Sequence, residues 1–204
     1  MKIYPIEAGN FKLDGGAMFG VVPKNLWQKT NPADSNNLID IASRCMLIEE
    51  GDKLVLIDAG MGNKQSEKFY SYYYRWGGND LVSSINAAGF SCDQITDVFF
   101  THLHFDHCGG GTVWDVKKSF NKPLFKNAKY WSNKQHWQWA TEPNNREKAS
   151  FLRDNIIPIQ EAGHLNFVEK EGDLFNNFKT LFVNGHTEAQ MIPHITYKDK
   201  TIVF

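Results

Sequence analysis

The feature that most constrains this chain is the run His102-Leu103-His104-Phe105-Asp106-His107-Cys108-Gly109-Gly110-Gly111, which follows directly on the apolar strand Asp97-Val98-Phe99-Phe100-Thr101. Imidazoles and a carboxylate crowded at the end of a buried strand need partners, because burying them unpaired is costly. A metal ion satisfies them together. In the turn after a strand, His102 and His104 can converge on one ion while Asp106 and His107 face a second. The glycines that follow permit close backbone approach to a ligand or ion. A solvated His-rich loop is the alternative.

The rest of the chain is organised around that strand end. The first fifty residues read as β-rich. A hairpin pairs Cys45-Met46-Leu47-Ile48 with Leu54-Val55-Leu56-Ile57 across a Gly51-Asp52 turn, and its second arm is apolar throughout, as in a strand buried on both faces. The segment 64–76 reads as a helix, Leu81 to Ala88 as a short amphipathic helix stopped by Gly89, and 130–155 as two helices split near Pro143. Leu165 to Val168 and Phe178 to Val183 read as strands, and Met191 to Phe204 as a hairpin around Lys198-Asp199-Lys200. Two β-rich blocks, 1–60 and 165–204, thus flank a helical middle. Two packed sheets with helices outside bury both blocks most simply.

Composition narrows the function. Lys+Arg number 22 against 23 Asp+Glu, a net charge of -1, which disfavours a general nucleic-acid or anionic-membrane binder. No apolar run reaches the ~18 residues of a membrane span, and the start lacks an apolar signal region, so a cytoplasmic location is expected. Cys45, Cys92 and Cys108 are far apart, with no CxxC pair for a zinc ribbon or disulfide scaffold. No GxSxG nucleophile elbow is present, which leaves a serine route without a candidate.

Further candidates lie at other strand ends. His186, in Phe182-Val183-Asn184-Gly185-His186-Thr187, follows a strand and a glycine as the cluster does, and is a candidate ligand. Asp58, in Ile57-Asp58-Ala59-Gly60, reads equally as a turn residue. His136, His164 and His194 read as structural or exposed, and Cys108 as a small buried thiol. Phe19 and Trp27 lie in the aromatic loop GGAMFGVVPKNLW, where lining a substrate pocket and packing in the core are both open.

Taken together, HLHFDH resembles the HxHxDH signature of the metallo-β-lactamase fold hydrolases, IDAG at 57–60 resembles their DxG element and NGHT at 184–187 their GHT motif. The matches run in the family's order, and the Gly-Gly after the signature looks closest to the lactonase and organophosphate-hydrolase-like members. The resemblance implies an αββα four-layer sandwich in one domain, with a metal site at one edge of the sheets. It implies that His102, His104 and His186 hold the first ion, that Asp106 and His107 belong to a second, and that Asp58 braces the ligand loop by hydrogen bonds. Gln190 stands where many members have a second histidine. The family's bridging Asp and last His ligand have no counterpart before Phe204, and Asp199 reads as a turn residue. On the resemblance, therefore, the chain is expected to continue past Phe204.

The expected function is that of a zinc-dependent hydrolase, with two ions in the complete protein and Fe or Mn as alternative metals. A metal-bound, ideally bridging, hydroxide would attack an ester, lactone, thioester or phosphoester, with Asp106 as the catalytic carboxylate. A small-molecule substrate is expected, with no nucleic acid or membrane partner and with a homodimer left open. The rivals are a mononuclear Fe enzyme of the persulfide-dioxygenase type and a non-catalytic metal-binding scaffold.

Overall fold

The computed structural model describes residues 1–117 and 119–204. Its strands are β1 (Lys2–Asp14), β2 (Leu38–Glu50), β3 (Lys53–Ile57), β4 (Asp97–Phe99), β5 (Thr112–Asp115), β6 (Phe120–Pro123), β7 (Lys129–Ser132), β8 (Leu165–Phe167), β9 (Gly172–Phe175), β10 (Phe178–Val183), β11 (Gln190–Tyr197) and β12 (Lys200–Val203). The helices are α1 (Gly15–Phe19), α2 (Lys24–Trp27), α3 (Glu67–Ser71), α4 (Leu81–Ala87), α5 (Phe105–Cys108), α6 (Lys134–Thr141) and α7 (Arg153–Glu161).

Two sheets carry the architecture. A mixed six-stranded sheet runs β1-β2-β3-β4-β7-β8, antiparallel through β3 and parallel from β3 onward. An antiparallel four-stranded sheet runs β12-β11-β10-β9, and β5-β6 form a separate hairpin. Strand alternation sorts the side chains of the larger sheet between two cores. Leu47, Leu56, Val98 and Tyr130 join Leu81 and Ile85 of α4, Trp137 and Ala140 of α6, and Ile156 and Ile159 of α7. Their neighbours Ile48, Val55, Ile57 and Phe99 face the other way and pack on Phe178, Met191 and Ile195 of the smaller sheet. Helices, six-stranded sheet and four-stranded sheet therefore stack in that order, the helix–sheet–sheet part of the expected sandwich. Phe99 meets Phe178 edge to face at 5.0 Å between the sheets, and burying a ring like this stabilises by roughly 2–3 kcal/mol.

Two local expectations are corrected. In 64–76 the helix is confined to α3, capped by Ser66, because Tyr73 and Trp76 are drawn to β1 instead: Lys12 N–H donates to Tyr73 O at 2.7 Å and Trp76 N–H to Asn10 O at 3.1 Å. In 130–155, residues 129–132 form β7 between β4 and β8, and the second helix starts only at Arg153. That helix contains Pro158, and the carbonyl of Asp154, which proline leaves without an N–H, accepts from Thr112 Oγ1 at 3.2 Å. The hairpin β5-β6 and the short helices α1 and α2 have no counterpart in the sequence pattern. Among the described residues no helix is long and apolar enough to cross a membrane.

Candidate metal centre

The parallel strands β3 and β4 end side by side, and the loops that leave them are laced together by backbone bonds. Asp58 N–H donates to Phe99 O, Ala59 N–H to His107 O at 2.7 Å and Gly110 N–H to Gly60 O at 2.9 Å. These loops touch so closely that a Cβ on Gly110 would overlap the Ala59 carbonyl and one on Gly62 would lie 2.8 Å from Gly109 O. Glycine is required here for contact, and at Gly62 also for its φ of 70°. Asp58 itself adopts φ 58°, a left-handed conformation that costs on the order of 1 kcal/mol in a residue with a Cβ.

The lacing fixes a chain of polar contacts. Asp58, 2% exposed, accepts from Thr101 N–H at 2.8 Å, from Thr101 Oγ1 at 2.8 Å and from His107 Nδ1 at 2.7 Å. Because the Thr101 hydroxyl gives its one proton to Asp58, it accepts from His102 Nδ1, 3.0 Å away. His102 therefore carries its proton on Nδ1 and leaves Nε2 bare. That Nε2 is buried without a hydrogen-bond partner, as is Nε2 of His104. Orphaned nitrogens of this kind are expensive, and these two point to a common place. The ligand atoms of His102, His104 and His186 all lie within 4.8 Å of one another, the first two residues buried and the third exposed. The donor set therefore fits a metal ion, with three imidazoles arranged as ligands of a zinc-type site.

Electrostatics separate this trio from its neighbours. Burial, reinforced by His107 and His104, pushes His102 well below the usual histidine range. Burial and the adjacent His186 push His104 down to about 4. Both are then neutral at pH 7, the form that ligates metal. For His107, burial acts downward but the charge and hydrogen bond of Asp58 prevail, with Asp106 adding to them, and the ring is raised to about 9. His107 Nε2 faces Asp106 Oδ2 at 3.7 Å, so Asp106, His107 and Asp58 form an acidic lobe beside the three histidines. The ring of His107 is 4.0 Å from that of His102.

Aromatic residues wall the acidic lobe. Phe69, Tyr73 and Phe105 meet at centroid distances of 4.9 to 5.5 Å, and the charge of Asp106 adds to burial in raising Tyr73. Phe151 lies against His104 at 4.7 Å. By contrast, Phe19 stacks on Trp27 at 5.0 Å, and Trp27, 5% exposed, closes over Gly15 and Ile39. Cys108 is buried, donates to Leu103 O at 3.3 Å and is pushed up to about 12 by burial, so it stays a thiol. His164 bonds Ala128 O at 2.7 Å, outside the cluster. A cavity of about 320 Å³ lies behind the glycine contacts, lined by Met61, Gly62, Arg75, Leu81 and Gly110 among others but by none of the clustered histidines.

Two further residues border the cluster: Glu147, which the sequence did not single out, and His136, which it read as structural or exposed. Glu147 Oε2 lies 3.7 Å from His104 Nε2 while accepting from Thr187 Oγ1 at 2.8 Å and Trp139 Nε1 at 3.2 Å. His136 touches both histidine-bearing loops, accepting from Leu103 N–H and donating to Glu188 O. Neither has a motif, since a carboxylate in a turn and a histidine one turn into a helix are ordinary until the fold brings them to the site.

Residues 39–204 match the model of the metallo-beta-lactamase superfamily. An N-acyl homoserine lactonase of a Bacillus species is 22% identical over 198 residues, which cover 91% of this chain and 66% of that protein. The chain thus spans just under two thirds of the length of the curated relatives it matches. A solved structure of a probable metal-dependent hydrolase from Staphylococcus aureus superposes with a TM-score of 0.89 at 30% identity, covering 99% of this chain and 71% of that one. The dizinc quorum-quenching lactonase AidC, in complex with a homoserine product, gives a TM-score of 0.73 at 21% identity over 98% of this chain and 69% of its own, which shows a shared fold.

Proposed function

The chain belongs to the metallo-beta-lactamase superfamily, and from that membership we propose that it is a metal-dependent hydrolase in which His102, His104 and His186 hold a zinc ion. Fe and Mn are the alternatives, and a second ion belongs beside Asp106 and His107. The observation that carries this proposal is the pair of buried, partnerless Nε2 atoms on His102 and His104, converging with His186. When bound, such an ion supplies Lewis acidity and lowers the pKa of a coordinated water towards neutrality.

The chain's own residues do the rest. Thr101 fixes the tautomer of His102, and Asp58 accepts from His107 Nδ1 and so fixes the orientation of that ring, which turns each Nε2 towards the site. Asp106, with a side chain 25% exposed, is the carboxylate placed to orient a nucleophile and pass a proton to a leaving group. The Phe69, Tyr73 and Phe105 wall excludes water beside it and suits a substrate with an apolar arm. Esters, lactones, thioesters and phosphoesters share the electrophilic centre required. Relatives that act on N-acyl homoserine lactones make an acylated lactone the first substrate to try.

The experiment is turnover of a panel of acylated lactones, thioesters and phosphotriesters by zinc-loaded protein, with His102→Ala in parallel. Hydrolysis of one class, lost in the variant and after chelation, is expected. Zinc-loaded protein that is inert on every class, or equally active in the variant, would overturn the proposal.

A further inference from the structure

We propose that His136, although no ligand itself, is a positioning residue that clamps the two histidine-bearing loops together and thereby sets metal affinity at the three-histidine site. The inference rests on the metal-site proposal above and names what holds that site in shape.

His102 and His104 leave the six-stranded sheet after β4, whereas His186 leaves the four-stranded sheet after β10. Their ligand atoms can stay within 4.8 Å of one another only if the two loops are tied. The N-terminus of α6 supplies the ties. Asn133 caps the helix by accepting from His136 N–H at 2.8 Å, and its Nδ2 donates to Ala189 O at 2.7 Å. Gln135 Nε2 donates to Glu188 Oε1 at 2.6 Å. These two residues hold only the His186 loop.

His136 reaches both loops. Its Nδ1 lies 2.6 Å from Glu188 O, and its Nε2 lies 2.9 Å from the N–H of Leu103, the residue between His102 and His104. A carbonyl oxygen only accepts, so Nδ1 bears the proton and Nε2 is the acceptor, with no tautomer left open. Both ring nitrogens are used, which removes His136 from the ligand set. Burial keeps the ring neutral by pushing its pKa down to about 4, and it is 1% exposed. The bond to Leu103 fixes the plane of a peptide that joins two ligands. One other bond crosses nearby, from Met191 N–H to Thr101 O at 2.8 Å, but it precedes His102, and the Cys108 thiol that donates to Leu103 O belongs to the same loop, so it is His136 that ties the 102–104 segment to the His186 loop.

The geometry allows the two ends of the clamp to be cut separately. A glutamine at 136 can place its amide oxygen near the Nε2 position and keep the Leu103 bond, whereas an asparagine can place its amide nitrogen near the Nδ1 position and keep the Glu188 bond. Because Asn133 and Gln135 also hold residues 188–189, only the Leu103 end lacks a substitute.

The test measures Zn(II) dissociation constants by competition with a chromophoric chelator, together with the visible spectrum of the Co(II)-loaded protein and the urea midpoint of chelator-treated protein. His136→Phe and His136→Asn are expected to bind Zn(II) about 10–100-fold more weakly and to show altered Co(II) spectra, while His136→Gln stays within about 3-fold of wild type. A merely structural histidine would lower the urea midpoints of all three variants and leave Zn(II) affinity and the Co(II) spectrum unchanged. That outcome, or equal affinities for the Gln and Asn variants, overturns the proposal. If the Phe variant does not fold, the Gln and Asn pair decides alone. A wild-type protein that binds no Zn(II) refutes the metal site itself, whereas tight wild-type binding with unaffected variants refutes only the clamp.

Discussion

Replacing Asp58 by asparagine isolates what one buried carboxylate does for the centre. Asp58 accepts from both the Thr101 backbone and hydroxyl and from His107 Nδ1, so the isosteric change keeps its shape and removes its charge. An asparagine can still accept from Thr101 N–H, but its amide then points an N–H at His107 Nδ1. The imidazole must present Nδ1 as acceptor and carry its proton on Nε2, the atom that faces Asp106. The magnitude follows from the ring's pKa of about 9 against about 6.5 unfolded, a difference worth about 3.4 kcal/mol. The side chain is 35% exposed, and screening reduces this to roughly 2 kcal/mol. Since the folded value is the higher one, the contribution is complete below pH 6.5 and fades as pH rises through 9. Urea unfolding of chelator-treated wild type and Asp58→Asn at pH 6 and pH 9.5 should therefore show a gap larger by roughly 2 kcal/mol at pH 6. Nitrogen-15 spectra at pH 7.5 should show an imidazolium in the wild type and, in the variant, a neutral ring protonated on Nε2 alone. A gap of the same size at both pH values would mean that Asp58 acts through Thr101 alone, and the account of His107 would be wrong.

Three other outcomes are expected. His102→Ala and His186→Ala should each lower zinc content well below that of the wild type by elemental analysis; unchanged content in both would remove them as ligands. Asp106→Asn should cut hydrolysis by about 100-fold or more while changing the urea midpoint little, and intact turnover of an established substrate would exclude Asp106 from the chemistry. The buried neutral histidines His104 and His136, both pushed down to about 4, bind fewer protons folded than unfolded. Stability of the chelator-treated protein should thus be full above pH 6.5 and fall by several kcal/mol as pH drops towards 4, and a flat profile by circular dichroism would contradict their burial.

The sequence shows the parts of this fold that obey a single local rule. The all-apolar arm Leu54 to Ile57 reads as an interior strand, and the histidine-rich run after Phe100 as a candidate metal-binding end of the neighbouring strand β4. What stayed hidden was decided by distant partners. Tyr130 and Trp131 become strand because β4 and β8 lie on either side of them, not because their own neighbourhood alternates. Pro158 is tolerated within a helix because Thr112, far away in sequence, bonds the carbonyl it frees. The same division holds at the centre. The clustered histidines share a motif, whereas His136 and Glu147 acquire meaning only when α6 and the following turn fold over the loops.

The placement of His102 and His104 on one sheet's loop and His186 on the other's has a mechanical consequence. An ion gripped by all three is a removable cross-link between the two sheets, closing a loop of roughly eighty residues, much as a covalent staple would. Chelation then unfastens a joint as well as removing a reagent. Amide protons of β10, from whose end the His186 loop leaves, should exchange with deuterium faster once the ion is gone, while those of β2, whose ends carry no ligand, keep their pace.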